Sequence, residues 1–202
     1  MNERISTLVQ GIKALEAELE VELARRRIEL NFVVHKGKVR FEQVVIARHR
    51  AVKRGLTGYV LGSRPLMVLT APVIYSLIVP FALLDAVVSL YQTVCFRVYG
   101  VALVRRGDYF VFDRGHLAYL NAIEKLNCCY CSYANGLIAY VREIASRTEQ
   151  YWCPIKHARR VIAAHEHYAA FLDYGDAEAY RRELPALRQE LHKSGAEAAP
   201  RL

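Results

Sequence analysis

Apolar and polar positions follow three different rhythms along this chain. Between residues 3 and 30, Ile5, Leu8, Ile12, Leu15 and Leu19 recur every three or four positions, with Glu16, Glu18, Glu20 and Glu22 adding acid. That period predicts an amphipathic helix, docked on the body of the protein, because an a/d stripe shorter than three or four heptads does not define a coiled coil. Glu29 to Phe41 instead alternates apolar and polar residues around His35-Lys36-Gly37-Lys38, which predicts a β-hairpin with glycine in its turn. A helical period returns from Glu42 to Arg54, with Gly55 as its C-cap, and Gly58, Gly62, Ser63 and Pro65 read as a flexible connector.

From Leu66 to Val104 almost every position is apolar. Leu66 to Leu84 has no charge, over a length that can span a hydrocarbon core, for which about 20 residues suffice. Asp85 interrupts the run, Ala86 to Phe96 continues it, and Arg97 precedes Val98 to Val104. Lys53, Arg54 and Arg64 lie before it and Arg97, Arg105 and Arg106 after it, and basic flanks stay on the cytoplasmic side of a membrane. The segment is therefore expected to enter the bilayer and return, as a helical hairpin with Asp85 at its tip or as a re-entrant helix kinked at Pro72 or Pro80. A single span is the alternative, and it would put the basic patch and the cysteines on opposite sides.

Beyond Arg106 the pattern predicts a short strand-like run at Tyr109 to Phe112, an N-cap at Asp113, and helices over 114–126, 136–152, 155–172 and 176–193. Gly136 marks one boundary, Gly175 with Asp176 another, and the tail from Ser194 to Leu202 is expected to fray. The expected fold is mainly α: a membrane-embedded helical hairpin or re-entrant segment, a small β-hairpin, and a helical C-terminal metal-binding domain. Four parts follow, at 1–64, 65–106, 107–193 and 194–202.

Charge sharpens the picture. The chain of 202 residues carries a formal net charge of +8, and its mean hydropathy is +0.08. Lys36, Lys38, Arg40, Arg48, Arg50, Lys53, Arg54 and Arg64 face a single acid, Glu42, between His35 and Arg64, a net +7. This excess lies just before the apolar run, where anionic lipid attracts it by roughly 1 kcal/mol per charge. Anionic membrane lipid is thus the expected partner, with a membrane protein as a second. Nucleic acid is the weaker reading of the same charge, since the aromatic residues of the second half suit a membrane interface as well as base stacking.

Five cysteines, three of them within four positions, make a poor disulfide framework, and the charged first thirty residues do not read as a signal peptide. Cys128 and Cys131 form a C-x2-C pair, and after twenty-one residues Cys153 and His157 form C-x3-H. Three sulfurs and one imidazole make a closed tetrahedral zinc site, with an iron–sulfur cluster as the alternative occupant. This requires the first pair in a tight loop and a chain reversal near Cys153. Pro154 in the first turn of the next helix would place Cys153 at its N-cap, where the dipole favours a thiolate. Cys129 could substitute for Cys128, and Cys128 with Cys131 could also be a redox dithiol. His165 and His167, two positions apart, cannot share one face of a helix. Glu143, Arg147 and Glu149 could line a pocket beside the cysteines or be ordinary surface charges.

Leu126-Asn127-Cys128, Asn135-Gly136-Leu137 and the block from Arg147 to His157, which contains Trp152-Cys153-Pro154-Ile155-Lys156-His157, resemble an uncharacterised family of bacterial membrane-associated proteins. The preceding apolar run is similar too, so the resemblance covers more than half the chain. It implies a bacterial membrane location and no particular substrate. The sequence reading is a membrane-anchored accessory or scaffold protein of the bacterial inner membrane, with both soluble parts cytoplasmic and a structural zinc at Cys128, Cys131, Cys153 and His157. A redox enzyme or electron carrier using the same residues is the alternative. No motif of a familiar catalytic type is present.

Overall fold

The structure, a computed structural model, describes residues 3–29, 32–35 and 38–193. The protein is mainly helical. Helix α1 (Glu3–Glu29) is followed by strands β1 (Phe32–His35) and β2 (Lys38–Phe41), then by α2 (Gln43–Ala51) and α3 (Leu56–Leu61). The two strands pair antiparallel, Phe32 opposite Phe41 and His35 opposite Lys38, as period-two alternation requires. The expected turn residues Lys36 and Gly37 lie outside the described residues, as does the tail 194–202.

Two local expectations shift here. Helix α2 stops at Ala51, and Gly55 is the N-cap of α3 rather than the C-cap of α2, so the presumed connector is partly helical. The stripe on α1 is not docked: Leu8, Ile12, Leu15 and Leu19 are all exposed.

The apolar run is helical from Pro65 to Tyr99. It comprises α4 (Pro65–Ser76), α5 (Ile78–Tyr91), a π-helical turn at Gln92–Phe96 and the short α6 (Arg97–Tyr99). Pro65 occupies the first turn of α4, where its missing N–H costs nothing. Gly100, with φ +68°, ends the run in the left-handed conformation. Asp85 lies inside α5, so the chain does not reverse there. Leu84-Asp85-Ala86-Val87 offers no residue that favours a turn, and the helix continues through it.

After 3-10 turns at Arg106–Asp108 and Asp113–His116 comes the 31-residue α7 (Ala122–Trp152), then a 3-10 turn at Glu166–Ala170 and α8 (Ala177–Lys193). Helix α7 replaces two expected helices. Its start is set by a capping box: Asn121 Oδ1 accepts from the Glu124 N–H at 3.0 Å, and Glu124 Oε2 accepts from the Asn121 N–H at 2.8 Å. Gly136 is no boundary. A Cβ there would lie 2.7 Å from the Tyr109 carbonyl oxygen, so glycine is needed for close approach, and α7 passes through it unbroken. Tyr109–Phe112, expected as a strand, is the irregular segment that packs on that glycine.

The expected helix 155–172 is also absent. Lys156 N–H donates to the Leu172 carbonyl at 2.7 Å and Leu172 N–H to the Pro154 carbonyl at 2.9 Å, so the two ends of the segment pair as an isolated parallel bridge. Backbone groups engaged in this bridge are not available to a helical ladder. Helix α8 begins where Gly175-Asp176 predicted: Asp176 Oδ1 accepts from the Ala179 N–H at 2.8 Å.

Among the described residues the chain forms two compact units, one from 3–19, 86–105 and 139–193, the other from 20–85 and 106–138. In the first, Phe96, Tyr140, Ile144 and Leu191 are each buried. Leu172, Ala179 and Leu187 form a second small core there, with Tyr180 against it. In the second unit, the Gly136 contact sets a clear expectation. Gly136→Ala should destabilise the protein by about 1–3 kcal/mol, as overpacking against fixed backbone does, whereas alanine at an open helical site would stabilise it. Denaturant unfolding followed by circular dichroism checks this, and an unchanged or raised midpoint would contradict the contact.

Candidate functional site

The most unusual surface is the apolar helix itself. Leu66, Met67, Leu69, Val73, Val79, Leu83 and Leu90 are among its large exposed side chains. Three of its hydroxyls bond to its own backbone: Thr70 donates to the Met67 carbonyl, Ser76 to Val73 and Thr93 to Ser89, at 2.7–2.9 Å. Polar side chains bonded this way expose no unmet donor to an apolar medium.

Asp85 is the one carboxylate of this helix. Within the second unit the Arg106 guanidinium meets both of its oxygens, with the second contact at 2.9 Å, and Tyr133 Oη donates to Oδ2 at 3.0 Å. Arg106 in turn covers the Phe110 ring at 4.2 Å. Burial, and then the hydrogen bond to Asp85, push the Tyr133 hydroxyl above its usual pKa, so it stays a donor. Nearby, Tyr75 donates to Asn127 Oδ1, and Tyr130 Oη donates to the Ile74 carbonyl at 2.9 Å. The sequence marked Asp85 but neither partner, because nothing in the spacing singles out Arg106 over Arg97 or Arg105.

The basic residues that precede the helix are exposed where described: Arg40, Arg48, Arg50, Lys53, Arg54 and Arg64. Lys36 lies outside the described residues, and of Lys38 only the backbone is described. Exposed Val44, Val52, Leu56, Val60 and Leu61 are interspersed with them. Cationic and apolar groups are thus mixed along one exposed segment.

The local setting of the cysteines differs from the loop and N-cap expected for them. Cys128 and Cys131 belong to α7 and to the second unit, one turn apart rather than in a tight loop. Cys153 and His157 belong to the first unit. All five cysteines are free, and among the described residues no three His, Cys, Asp or Glu gather as metal ligands would. Cys153 sits just beyond the C-terminal end of α7, its N–H donating to the Glu149 carbonyl at 2.8 Å. That is the negative end of a helix, not the N-cap expected. Burial and the Glu149 charge push its thiol above the usual range, the reverse of an activated thiolate. His157 stacks on Tyr168, and its backbone N–H donates to Tyr168 Oη at 2.6 Å.

The first unit does hold a polar cluster that the sequence left as surface charge. Glu143 Oε1 accepts from Arg147 Nε at 2.7 Å and lies 3.3 Å from His167 Nε2, while Glu149 Oε2 lies 3.0 Å from His165 Nε2. Arg147 also donates to the Ala102 carbonyl at 2.8 Å. Both histidines reach α7 because residues 165–167 are not in an α-helix, which removes the one-face restriction. Among the described residues His165 Nδ1 is enclosed without a hydrogen-bond partner, while Nε2 faces Glu149. Burial alone would raise the Glu143 pKa, but His167 and Arg147 outweigh it and hold the carboxyl at about 2. A carboxylate so firmly ionised is a clamp, not a general base near neutrality.

No family model matches this chain, and no curated protein or solved structure matches it.

The Glu143 cluster generates a pH expectation. Its pKa falls from 4.5 to about 2 on folding, so its contribution is complete above pH 4.5 and is lost as pH falls toward 2. The shift corresponds to at most about 3 kcal/mol. Glu143→Gln should lower stability by about 1–3 kcal/mol at pH 7 and flatten its loss on acidification below pH 4.5. Thermal unfolding in detergent across that range checks this; an acid slope equal to that of the unmodified protein would refute the clamp.

Proposed function

We propose that this chain is a membrane-anchored accessory or scaffold protein of a bacterial inner membrane, with the unreversed helix Pro65–Tyr99 embedded along one anionic face so that both flanks stay on that face. One observation carries the reading: a 35-residue apolar helix has none of its most apolar stretch buried against the rest of the chain. Exposed apolar surface of this extent marks a membrane or protein interface. Its internally bonded hydroxyls and the Arg106 and Tyr133 contacts to Asp85 favour the membrane.

Two features favour embedding with both ends on one face. Arg64 precedes the helix, and Arg97 and Arg105 stand at its far end, so anionic headgroups attract both. Each unit also packs charged side chains close to its own part of the helix: Arg106 on Asp85 in one, and Arg147 on the Ala102 carbonyl just past the end in the other. Carrying such charges to mid-bilayer costs roughly 2.5–3.5 kcal/mol each. The six exposed cations from Arg40 to Arg64 then rest on lipid, and the helical C-terminal part is left in the cytoplasm to meet a partner.

Protein expressed in bacterial cells should remain with the membrane after an alkaline wash, and release into the wash would overturn the anchor. In a cysteine-free background, Leu61→Cys and Asp108→Cys should be labelled from the same side by an impermeant thiol reagent. Labelling from opposite sides would leave the anchor standing but make the helix a crossing one.

A further inference from the structure

We infer that the far half of the apolar helix makes a second, shallow lipid contact, in which Trp152 seats at the membrane–water interface beside Tyr99 and Tyr151. The inference rests on the membrane reading above and says where one unit meets the lipid.

At about 1.5 Å per residue the 35 residues run to roughly 50 Å. With both ends on one face and no reversal at Asp85, the helix lies along the interface rather than across the roughly 30 Å of hydrocarbon. Within the first unit, the part from Ala86 to Tyr99 has two unlike faces. Gln92 and Phe96 are buried. Gln92 donates to Tyr140 Oη, and its Oε1 accepts from the Val104 N–H at 3.0 Å; Tyr91 and Thr148 hydroxyls pair at 3.1 Å. On the other face Val87, Leu90, Val94 and Val98 follow at steps of three and four, each more than half exposed. A helix bonded along one face to polar groups and bare along the other suits the boundary of a bilayer better than its core.

The end of this half is marked by an aromatic group. Tyr99 stacks on Tyr151 at 5.0 Å and meets Trp152 edge-on at 5.4 Å. Arg188 lies over the Tyr151 ring at 4.8 Å and donates to the Tyr151 carbonyl at 2.8 Å. Arg97 and Arg105 are exposed close by in sequence, and Trp152 itself is 50% exposed. Tyrosine and tryptophan collect where hydrocarbon gives way to headgroups, and arginines beside them meet lipid phosphates. The bare stripe, the aromatic group and the cations together commit this face to anionic lipid.

Trp152 is the only tryptophan of the chain, so its fluorescence reads this site without mutation. The full-length protein is reconstituted into anionic phosphatidylglycerol vesicles whose acyl chains are brominated either near the headgroup or near the chain end, and flotation first confirms that it is in the vesicles. The expected result is a blue-shifted Trp152 emission, quenched more by shallow bromine than by deep bromine and little by aqueous iodide. Val94→Asn and Val98→Asn should weaken the bromine quenching with helix content unchanged. Floating protein quenched by iodide and not by bromine would overturn the contact and leave the anchor intact. Protection from both quenchers would put a protein surface, such as a second copy, over the site and equally overturn it. Stronger quenching by deep bromine would place Trp152 in the core and refute the shallow seat. Failure to float would remove the membrane reading itself.

Discussion

A single carboxylate on an apolar helix is the constraint around which the second unit is built. A largely buried carboxylate on an apolar helix is costly unless it is paired, so Asp85 needs a cation and a donor at hand. Arg106 supplies two contacts and Tyr133 a third. Holding Arg106 there fixes the start of the segment after the helix, and three residues on the Tyr109 carbonyl presses against α7 at Gly136. Glycine at that position lets the backbones approach, which in turn brings the Tyr133 hydroxyl to Asp85. Charge pairing, close backbone approach and the continuity of α7 thus support one another.

The first unit solves a different problem, the polar ends of its elements. Gln92 bonds both the N–H and, at 3.4 Å, the carbonyl of Val104, standing in for a neighbouring strand. Gln150 donates to the Leu187 carbonyl at 3.1 Å and Arg188 to the Tyr151 carbonyl, so α7 and α8 complete each other's backbone. A cation at the C-terminal end of α7 also suits its dipole. Glu143 collects Arg147 and His167, and Arg142 donates to the Ala163 carbonyl, which ties the irregular stretch after Cys153 to α7. The stretch needs such ties because it has little regular structure of its own.

Zinc coordination by Cys128, Cys131, Cys153 and His157 depends on a loop at the first pair and a helix start at the second. The structure has a helix at the first and a helix end at the second. At Cys153 the local field is the reverse of the one expected, and burial with the Glu149 charge raises its thiol pKa. The apolar helix, by contrast, depends on length and composition, which such local changes leave as they are.

The amino-acid pattern by itself determined whatever is local. It determined that the run from Pro65 is apolar and helical, though not that it continues through Asp85. It determined the pairing of Phe32–His35 with Lys38–Phe41, because alternation fits only a pleat. It determined the start of α8, because Asp176 caps its own helix. Asn121-Ala122-Ile123-Glu124 carried an equally local capping signal, which the expected helix from Asp113 passed over and which sets the start of α7. Tertiary structure alone decided the rest. Gly136 could be read as a breaker until Tyr109 was found against it, and Asp85 as a turn until Arg106 and Tyr133 were found around it. Residues 155–172 could be read as a helix until Leu172 was found paired with Pro154 and Lys156. In each case the deciding partner is distant in sequence, and a hydrogen bond or charge pair across that distance outweighs the few tenths of a kcal/mol by which one local conformation is preferred over another.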